Sequence, residues 1–357
     1  MAFSNQQPEK NRGKMTDRQK KTTESLEEIS SGNFSSALLA EALLFREDEQ
    51  QALFSLARER RTSAFPLEEV EARSVIEISN VCQQSCNYCS MHKDGALKPY
   101  VIKEHDVLDM AEFLYSKGRR VFLLQSGENR SKAFVEYVVR CVSGIKSKHP
   151  DSEIILCLGN LSREQYLCLK EAGAARYVLK FESSSAELYH EWKPSDTMDQ
   201  RLACLNDLID LGFKVGTGNM IGLPGQSLGN IVEDLLLVDR LDVSMMSSTV
   251  FIPNEGCNYC DRSMGDVDLV FNMMALMRIM NPGCLMPTTS CLEKARKDGQ
   301  LIGLMAGANT VTIHDGTPEN FRELFPIYSS DRCTPGQERM YNLVQRAGLK
   351  LGPSPLI

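Results

Sequence analysis

Cys82, Cys86 and Cys89 stand at C-x3-C-x2-C directly after the strand-like run Ile76-Glu77-Ile78-Ser79-Asn80-Val81. Iron–sulfur cubes normally take four cysteine thiolates. A compact loop with three therefore suits a 4Fe-4S cluster that keeps one iron open to a small-molecule ligand. Two plainer readings fit the loop alone. His92, just after Cys89, would complete a zinc set of three cysteines and one histidine; otherwise the thiols are simply free.

A second group repeats the same letters. Cys257-Asn258-Tyr259-Cys260 copies the C-N-Y-C of the first loop, and Cys284 and Cys291 follow. Four thiols could close a second metal site, yet no signature spacing joins the two halves, so incidental reduced cysteines are the simpler reading.

The elements that must position these thiols read as an α/β chain. Residues 25–72 carry apolar positions at three- and four-residue spacing and read as an N-terminal helical cap, with helices over 35–44 and 49–60. Residues 1–24 read as a disordered leader, polar at first and lacking an apolar core segment. From residue 73 to 330, β-branched runs at 75–79, 120–125, 153–158, 176–181, 214–220, 243–251, 285–288 and 310–314 alternate with amphipathic segments. Eight such units predict a parallel (β/α)8 TIM-type barrel. A C-terminal helix and tail fill 331–357, opening at Thr334-Pro335-Gly336-Gln337 with a capping pair and Pro at the first helical position.

Barrel enzymes gather their chemistry where strands end in loops at the C-terminal mouth. The strand ends deliver the three cysteines, Ser126-Gly127-Glu128, Gly159-Asn160, Glu182-Ser183, Gly218-Asn219-Met220, Thr288-Thr289-Ser290 and His314-Asp315 to one rim.

Composition narrows the partners. A formal charge of -7 over 357 residues argues against nucleic acid or an anionic membrane, which require a dominant basic field. No apolar run approaches a membrane span. Twelve cysteines scattered through a chain without an export signal predict a reducing, cytoplasmic location. Met273, Met274, Met277 and Met280 recur at helical spacing and read as core.

Taken in order, Leu124-Gln125-Ser126-Gly127-Glu128, Leu158-Gly159, Lys180-Phe181-Glu182-Ser183, Arg201-Leu202, Met220 through Gln226, Phe251-Ile252-Pro253, Pro287-Thr288-Thr289 and Gly307-Ala308-Asn309 join the cysteine loop in a pattern that resembles the FeFe-hydrogenase maturase group of radical SAM enzymes, with methylornithine synthase and biotin synthase as wider relatives. The resemblance runs from about residue 25 to about 330 without a large gap. It implies a 4Fe-4S cluster on Cys82, Cys86 and Cys89 and S-adenosylmethionine (SAM) at the open iron. Reductive cleavage of SAM would then give methionine and a 5′-deoxyadenosyl radical.

By the same resemblance Tyr88 borders the cofactor, and Ser126, Gly127 and Glu128 flank its amino end. Lys180, Glu182 and Arg201 meet its ribose, sulfonium or carboxylate, and Met220 lies on the adenine side. Glu182 and Arg201 are expected to meet at the rim. Lys180 stands where the family pattern has Arg, and the two cations are not interchangeable at a forked site. A small polar or zwitterionic substrate is implied, facing Gln125, Thr288, Thr289, Ser290, Asn309 and His314, with Tyr328 as a lid contact. A low-potential electron donor such as a flavodoxin or ferredoxin would supply the electron.

Departures limit what is inherited. Biotin synthase carries a second, sulfur-donating cluster on barrel cysteines, and the corresponding positions here fall near Leu124, Ile155 and Gly216. Only Cys333 lies where some maturases bind an accessory cluster. The expected function is therefore SAM-derived radical chemistry on an amino-acid-derived or metal-cofactor-precursor substrate; a lysine mutase resembling methylornithine synthase and a non-catalytic iron–sulfur carrier are the alternatives.

Overall fold

In the computed structural model, which describes residues 16–322, 324–325, 337–352 and 355–357, side-chain alternation along each strand divides the molecule into a polar lumen and an apolar shell. Strands β1 (Glu69–Ser79), β2 (Val121–Ser126), β3 (Glu153–Cys157), β4 (Arg176–Val178), β5 (Lys214–Ile221), β6 (Met245–Val250), β7 (Pro287–Thr288) and β8 (Thr310–Ile313) are all parallel, in the order β6-β5-β4-β3-β2-β1-β8-β7. The ring closes just before β7, where the Met246 N–H donates to Leu285 O and the Leu285 N–H to Ser244 O, each at 2.9 Å. This is the expected (β/α)8 barrel.

The helix-facing residues Ile76, Ile78, Phe122, Leu124, Ile154, Leu156, Tyr177, Phe181, Val215, Val311 and Ile313 share one buried core with the surrounding helices. Their neighbours in sequence, Glu77, Gln125, Cys157, Lys180, Glu182, Gly218 and His314, therefore face inward. Register confirms the layer: Glu77 pairs with Gln125, and Gln125 with Cys157.

Buried charge closes the floor of the barrel. Arg176 reaches Glu71 and Glu153 at 2.8 Å each and donates to Ile357 O at 3.1 Å, while Arg73 holds Glu71 at 2.7 Å. A short strand β9 (Lys350–Leu351) adds to the start of β1. Access to the lumen is thus from the mouth.

Three features differ from expectation. Helix α1 (Asp17–Ser30) already begins inside the predicted leader, nucleated by a capping box between Thr16 and Gln19. Helices α2 (Ser36–Leu43) and α3 (Glu47–Ala64) complete the cap, which lies on the flank of the barrel against helix Val267–Met280. There Asn272 Nδ2 donates to Leu43 O and Phe45 O, and Arg46 pairs with Asp266 at 2.6 Å. Second, β4 and β7 are much shorter than their apolar runs. Third, the final helix is Gln337–Arg346; Thr334, Pro335, Gly336, Tyr328 and Cys333 lie outside the described residues. No helix among the described residues is long and apolar enough to cross a membrane.

Candidate active site

The cysteine loop leaves β1 at the mouth and is pinned from three sides. The Gln83 N–H donates to Glu128 O at 2.8 Å, the Asn87 N–H to Trp192 O at 2.8 Å, and the Ser85 N–H to Ser195 Oγ at 2.9 Å. Gly127 lets β2 and the loop touch: a Cβ there would sit 2.5 Å from Val81 O and 2.8 Å from the Cys82 Cβ.

Two amides aim at sulfur. The N–H groups of Gln84 and Glu128 point to Cys82 Sγ at 3.5 and 3.4 Å, an arrangement that stabilises a thiolate. Cys82, Cys86 and Cys89 are all free thiols. Burial pushes the Cys86 thiol up to about 11 and Cys89 higher still, against which Lys193 and Arg201 pull Cys86 down. Without a metal these are protonated thiols; iron would displace the protons.

Among the described residues no three His, Cys, Asp or Glu side chains are grouped to hold a single metal ion. A cube meets each thiolate with a different iron, so its ligands stand further apart than those of one zinc. His92 instead folds over its own loop, its Nε2 3.7 Å from where a Gly95 Cβ would lie. Of the second group, Cys284 and Cys291 are core residues. The 257–260 loop packs on the first, with the Tyr259 N–H donating to Asn87 O at 3.1 Å.

Behind the cysteines lies a buried ionic network. Glu128 accepts from Gln84 Nε2 at 2.5 Å, from the Asn160 N–H at 3.0 Å and from the Arg130 guanidinium, with Arg201 at 3.9 Å. Its carboxylate is committed to protein partners, not left available to a ligand amine as expected. Gly159, at φ +79°, is needed beside it because any Cβ would overlap that carboxylate. The predicted Glu182–Arg201 contact is replaced by two separate pairings. Arg201 donates to Tyr189 Oη at 2.8 Å and Asp196 at 3.1 Å, whereas Glu182 pairs with Lys180 at 2.9 Å. Lys180 also donates to Thr249 Oγ1 at 2.7 Å, across the lumen side of β5.

Glu182 is held at φ +63°, an uncommon backbone for a non-glycine residue. The Glu182 N–H donates to Gly218 O and its carbonyl accepts from the Met220 N–H, each at 3.0 Å. Its buried Oε2 is the oxygen that faces Lys180 Nζ at 2.9 Å, and it takes no further hydrogen bond.

Tyr88 packs with Met220, Tyr259 and Leu188 on a buried cluster of Trp192, Leu223 and Phe251. The indole Nε1 donates to Pro224 O at 3.0 Å, locking the Gly222–Gln226 turn to the cysteine loop. These side chains form an apolar wall beside the cysteine loop.

The expected substrate residues divide. Gln125 and His314 face the lumen, and Thr289 and Ser290 sit half-buried at the rim. Thr288 does not: its hydroxyl donates outward to Gln300 O at 2.9 Å. Asn309 is fully buried, accepting from Arg278 and the Met286 N–H, and so is structural. Thr288 turns away from the lumen at the end of β7, and Asn309 lies before the first residue of β8, at the floor end beside Glu71. Sequence reasoning missed Asp196, Tyr189 and Lys193; the only signal was an Asp before the helix-capping Thr197.

A mouth with a three-thiol loop, an apolar wall and buried charge defines a radical SAM enzyme, and the family model for the radical SAM superfamily matches residues 76–238. The chain is 34% identical over 314 residues to the FeFe-hydrogenase maturase subunit HydE of Thermotoga maritima, covering 87% of this chain and 88% of that one. It therefore belongs to the radical SAM superfamily, in the company of that maturase. Biotin synthase of Chlorobaculum parvum is 25% identical over 272 residues, 74% of this chain and 81% of that protein. In fold it is similar to methylornithine synthase (TM-score 0.80, 23% identity, 92% of this chain and 97% of that one) and to the maturase HydG from Carboxydothermus hydrogenoformans (0.79, 19%, 92% and 79%). The enzyme thus uses a 4Fe-4S cluster and SAM.

Proposed function

We propose that Cys82, Cys86 and Cys89 hold the cluster and that the enzyme acts on a small amino-acid-derived or metal-cofactor-precursor substrate in a cytoplasmic maturation or biosynthetic pathway. The observation that carries this reading is the free three-thiol loop, anchored at Gly127 and with two amides on Cys82, opening on a polar lumen. The likeness to a hydrogenase maturase subunit supports the maturation side. Cluster and SAM together supply a 5′-deoxyadenosyl radical by one-electron cleavage of the sulfonium; a flavodoxin or ferredoxin would be the donor.

The chain's own residues bind and shield. Tyr88 and Met220 line the adenine side, and Glu182, held by Lys180, meets the ribose. The Ser126-Gly127 turn brings backbone oxygen to the amino end, since the Glu128 side chain is engaged. Arg201 and Lys180 set the charge around the cofactor's carboxylate and sulfonium. The closed floor keeps water from the radical. A mere cluster carrier would have no use for such a pocket.

The test is anaerobic reconstitution, dithionite reduction and chromatography with SAM. Cleavage to 5′-deoxyadenosine is expected, and Cys→Ala at position 82, 86 or 89 should abolish both cluster absorbance and product. An intact cluster without 5′-deoxyadenosine would defeat the proposal.

A further inference from the structure

The thiols of Cys257 and Cys260 take no part in the site described above, yet their loop runs along the cysteine loop. The Tyr259 N–H donates to Asn87 O at 3.1 Å, and Asn258 Nδ2 donates to Asn87 Oδ1 at 2.8 Å. Gly256 abuts Ser90, where an added Cβ would stand 2.7 Å from the Ser90 Cβ. Tyr259 facing Asn87 and Gly256 facing Ser90 make the two loops antiparallel, which sets Cys257 across from Cys89. Burial pushes the Cys89 thiol up, and Cys257 is among the neighbouring thiols that add to the shift.

The two outer thiols differ in access. Cys257 is buried, at 4% exposure, whereas Cys260 is exposed, and both are free, as is Cys89. The Cys260 N–H donates to Cys257 O at 3.2 Å and closes a turn between them. Such a turn brings its end Cα atoms within about 7 Å, and a disulfide spans roughly 4.4–6.8 Å. Directly opposed residues hold their Cβ atoms about 4.5–5.5 Å apart, near the roughly 3.5–4.5 Å of a disulfide. Cys257 therefore stands between two sulfurs, Cys89 inward and Cys260 outward. C-x-x-C is also the spacing of exchanging dithiols.

We infer that Cys257 and Cys260 form a redox-active pair that returns an oxidised Cys89 to the thiol. The inference rests on the reading of Cys89 as a cluster ligand, whose sulfur is exposed to oxidants whenever the cluster is lost. With hydrogen peroxide as oxidant, the Cys89 thiol loses two electrons to become a sulfenic acid, and water leaves. The Cys257 sulfur then attacks the Cys89 sulfur; an S–S bond forms, and the sulfenic hydroxyl departs as water with the Cys257 proton. Next the Cys260 sulfur attacks Cys257, so the disulfide moves to 257–260 and the Cys260 proton passes to Cys89. An external dithiol entering at Cys260 reduces the pair and is itself oxidised to its disulfide.

The test is peptide mapping by mass spectrometry on the full-length chain, freed of iron by chelation, treated with a modest excess of hydrogen peroxide and alkylated. Wild type should show a 257–260 disulfide with Cys89 alkylated as a thiol. Cys260→Ser should stop at an 89–257 disulfide, and Cys257→Ser should carry Cys89 on to sulfinic acid, which dithiothreitol does not reverse. After dithiothreitol and reconstitution with iron and sulfide, oxidised wild type should regain its cluster absorbance and oxidised Cys257→Ser should lose it. Equal oxidation of Cys89 in wild type and Cys257→Ser, or a Cys260→Ser chain without the 89–257 bond, would overturn the inference. So would a wild type that forms no 257–260 disulfide, a result that depends on no variant folding. Cluster absorbance and 5′-deoxyadenosine formation by wild type never exposed to peroxide test the ligand reading on its own.

Discussion

Asp196 is the hub on which the charge behind the cluster depends, and replacing it by alanine tests whether that network is structural. Its side chain is fully buried and accepts from Tyr189 Oη at 2.6 Å, the Thr197 N–H at 2.9 Å, Asn160 Nδ2 at 3.0 Å, Arg201 at 3.1 Å and Lys193 at 3.3 Å. Removing it strands Arg201 and Lys193, each about 95% buried, and leaves Arg201 with Glu128 at 3.9 Å. Deleting one partner of a buried pair costs roughly 3–5 kcal/mol. At a few degrees per kcal/mol, less for a chain this long, the unfolding midpoint should fall by about 5–10 °C.

The pH dependence gives an independent check. Burial pushes the Asp196 carboxyl up, but Lys193 and Arg201 outweigh it and hold it below the usual range. Its stabilisation is therefore present above the unfolded carboxyl value and is lost as pH falls through the native one. Asp196→Asn keeps the shape and should flatten that acid limb. Differential scanning calorimetry from pH 3 to 7, with SAM affinity by equilibrium dialysis, reads both effects. A midpoint within about 1 °C of wild type for Asp196→Ala, where the buried-pair cost predicts several degrees, would refute the reasoning.

Gly127→Ala forces a methyl against Val81 O and the Cys82 Cβ, so it should lower iron content after reconstitution while far-UV dichroism stays native. Full iron loading in that variant would show that the loop yields more easily than its contacts suggest. Asp234, behind the Glu182 turn, accepts from the Ser184 N–H, Ser184 Oγ and Asn219 Nδ2, and burial pushes its carboxyl up to about 6. A raised native value means stability is fullest below the unfolded pKa and falls as pH rises through 6; over about two pH units the ceiling is roughly 3 kcal/mol. Urea midpoints of wild type and Asp234→Asn at pH 4.5 and 7 should therefore diverge in favour of the variant at pH 7, and parallel midpoints would contradict the shift.

How much of this was legible in the sequence depended on whether a residue's role is local. The cysteine spacing, the glycines at 127 and 159 and the eight alternating units are local facts, and the barrel and its mouth follow from them. Cap helix α1 was half missed because a polar stretch looked unordered until its Thr16–Gln19 capping box was seen. Thr288 and Asn309 failed for a different reason. Thr288 ends a strand of two residues, too short for alternation to reveal which face is inward, and its hydroxyl turns toward Gln300; Asn309 precedes β8 and so stands at the floor end, beside Glu71.

Partnership across the chain was harder still. Glu182 and Arg201 looked complementary because both are charged and both reach the rim, yet each chose a nearer ion, Lys180 and Asp196. Those choices are set by desolvation: a buried guanidinium needs a carboxylate that is itself fixed by other donors, and Asp196 has four besides Arg201 where Glu182 has the Lys180 ammonium. The same test separates scaffold from site throughout the mouth. Glu128 and Asp196 are each satisfied by several protein donors and hold the mouth together, whereas Glu182 pairs with Lys180 and takes no further side-chain hydrogen bond among the described residues, so of the three carboxylates it is the one with capacity left for a ligand.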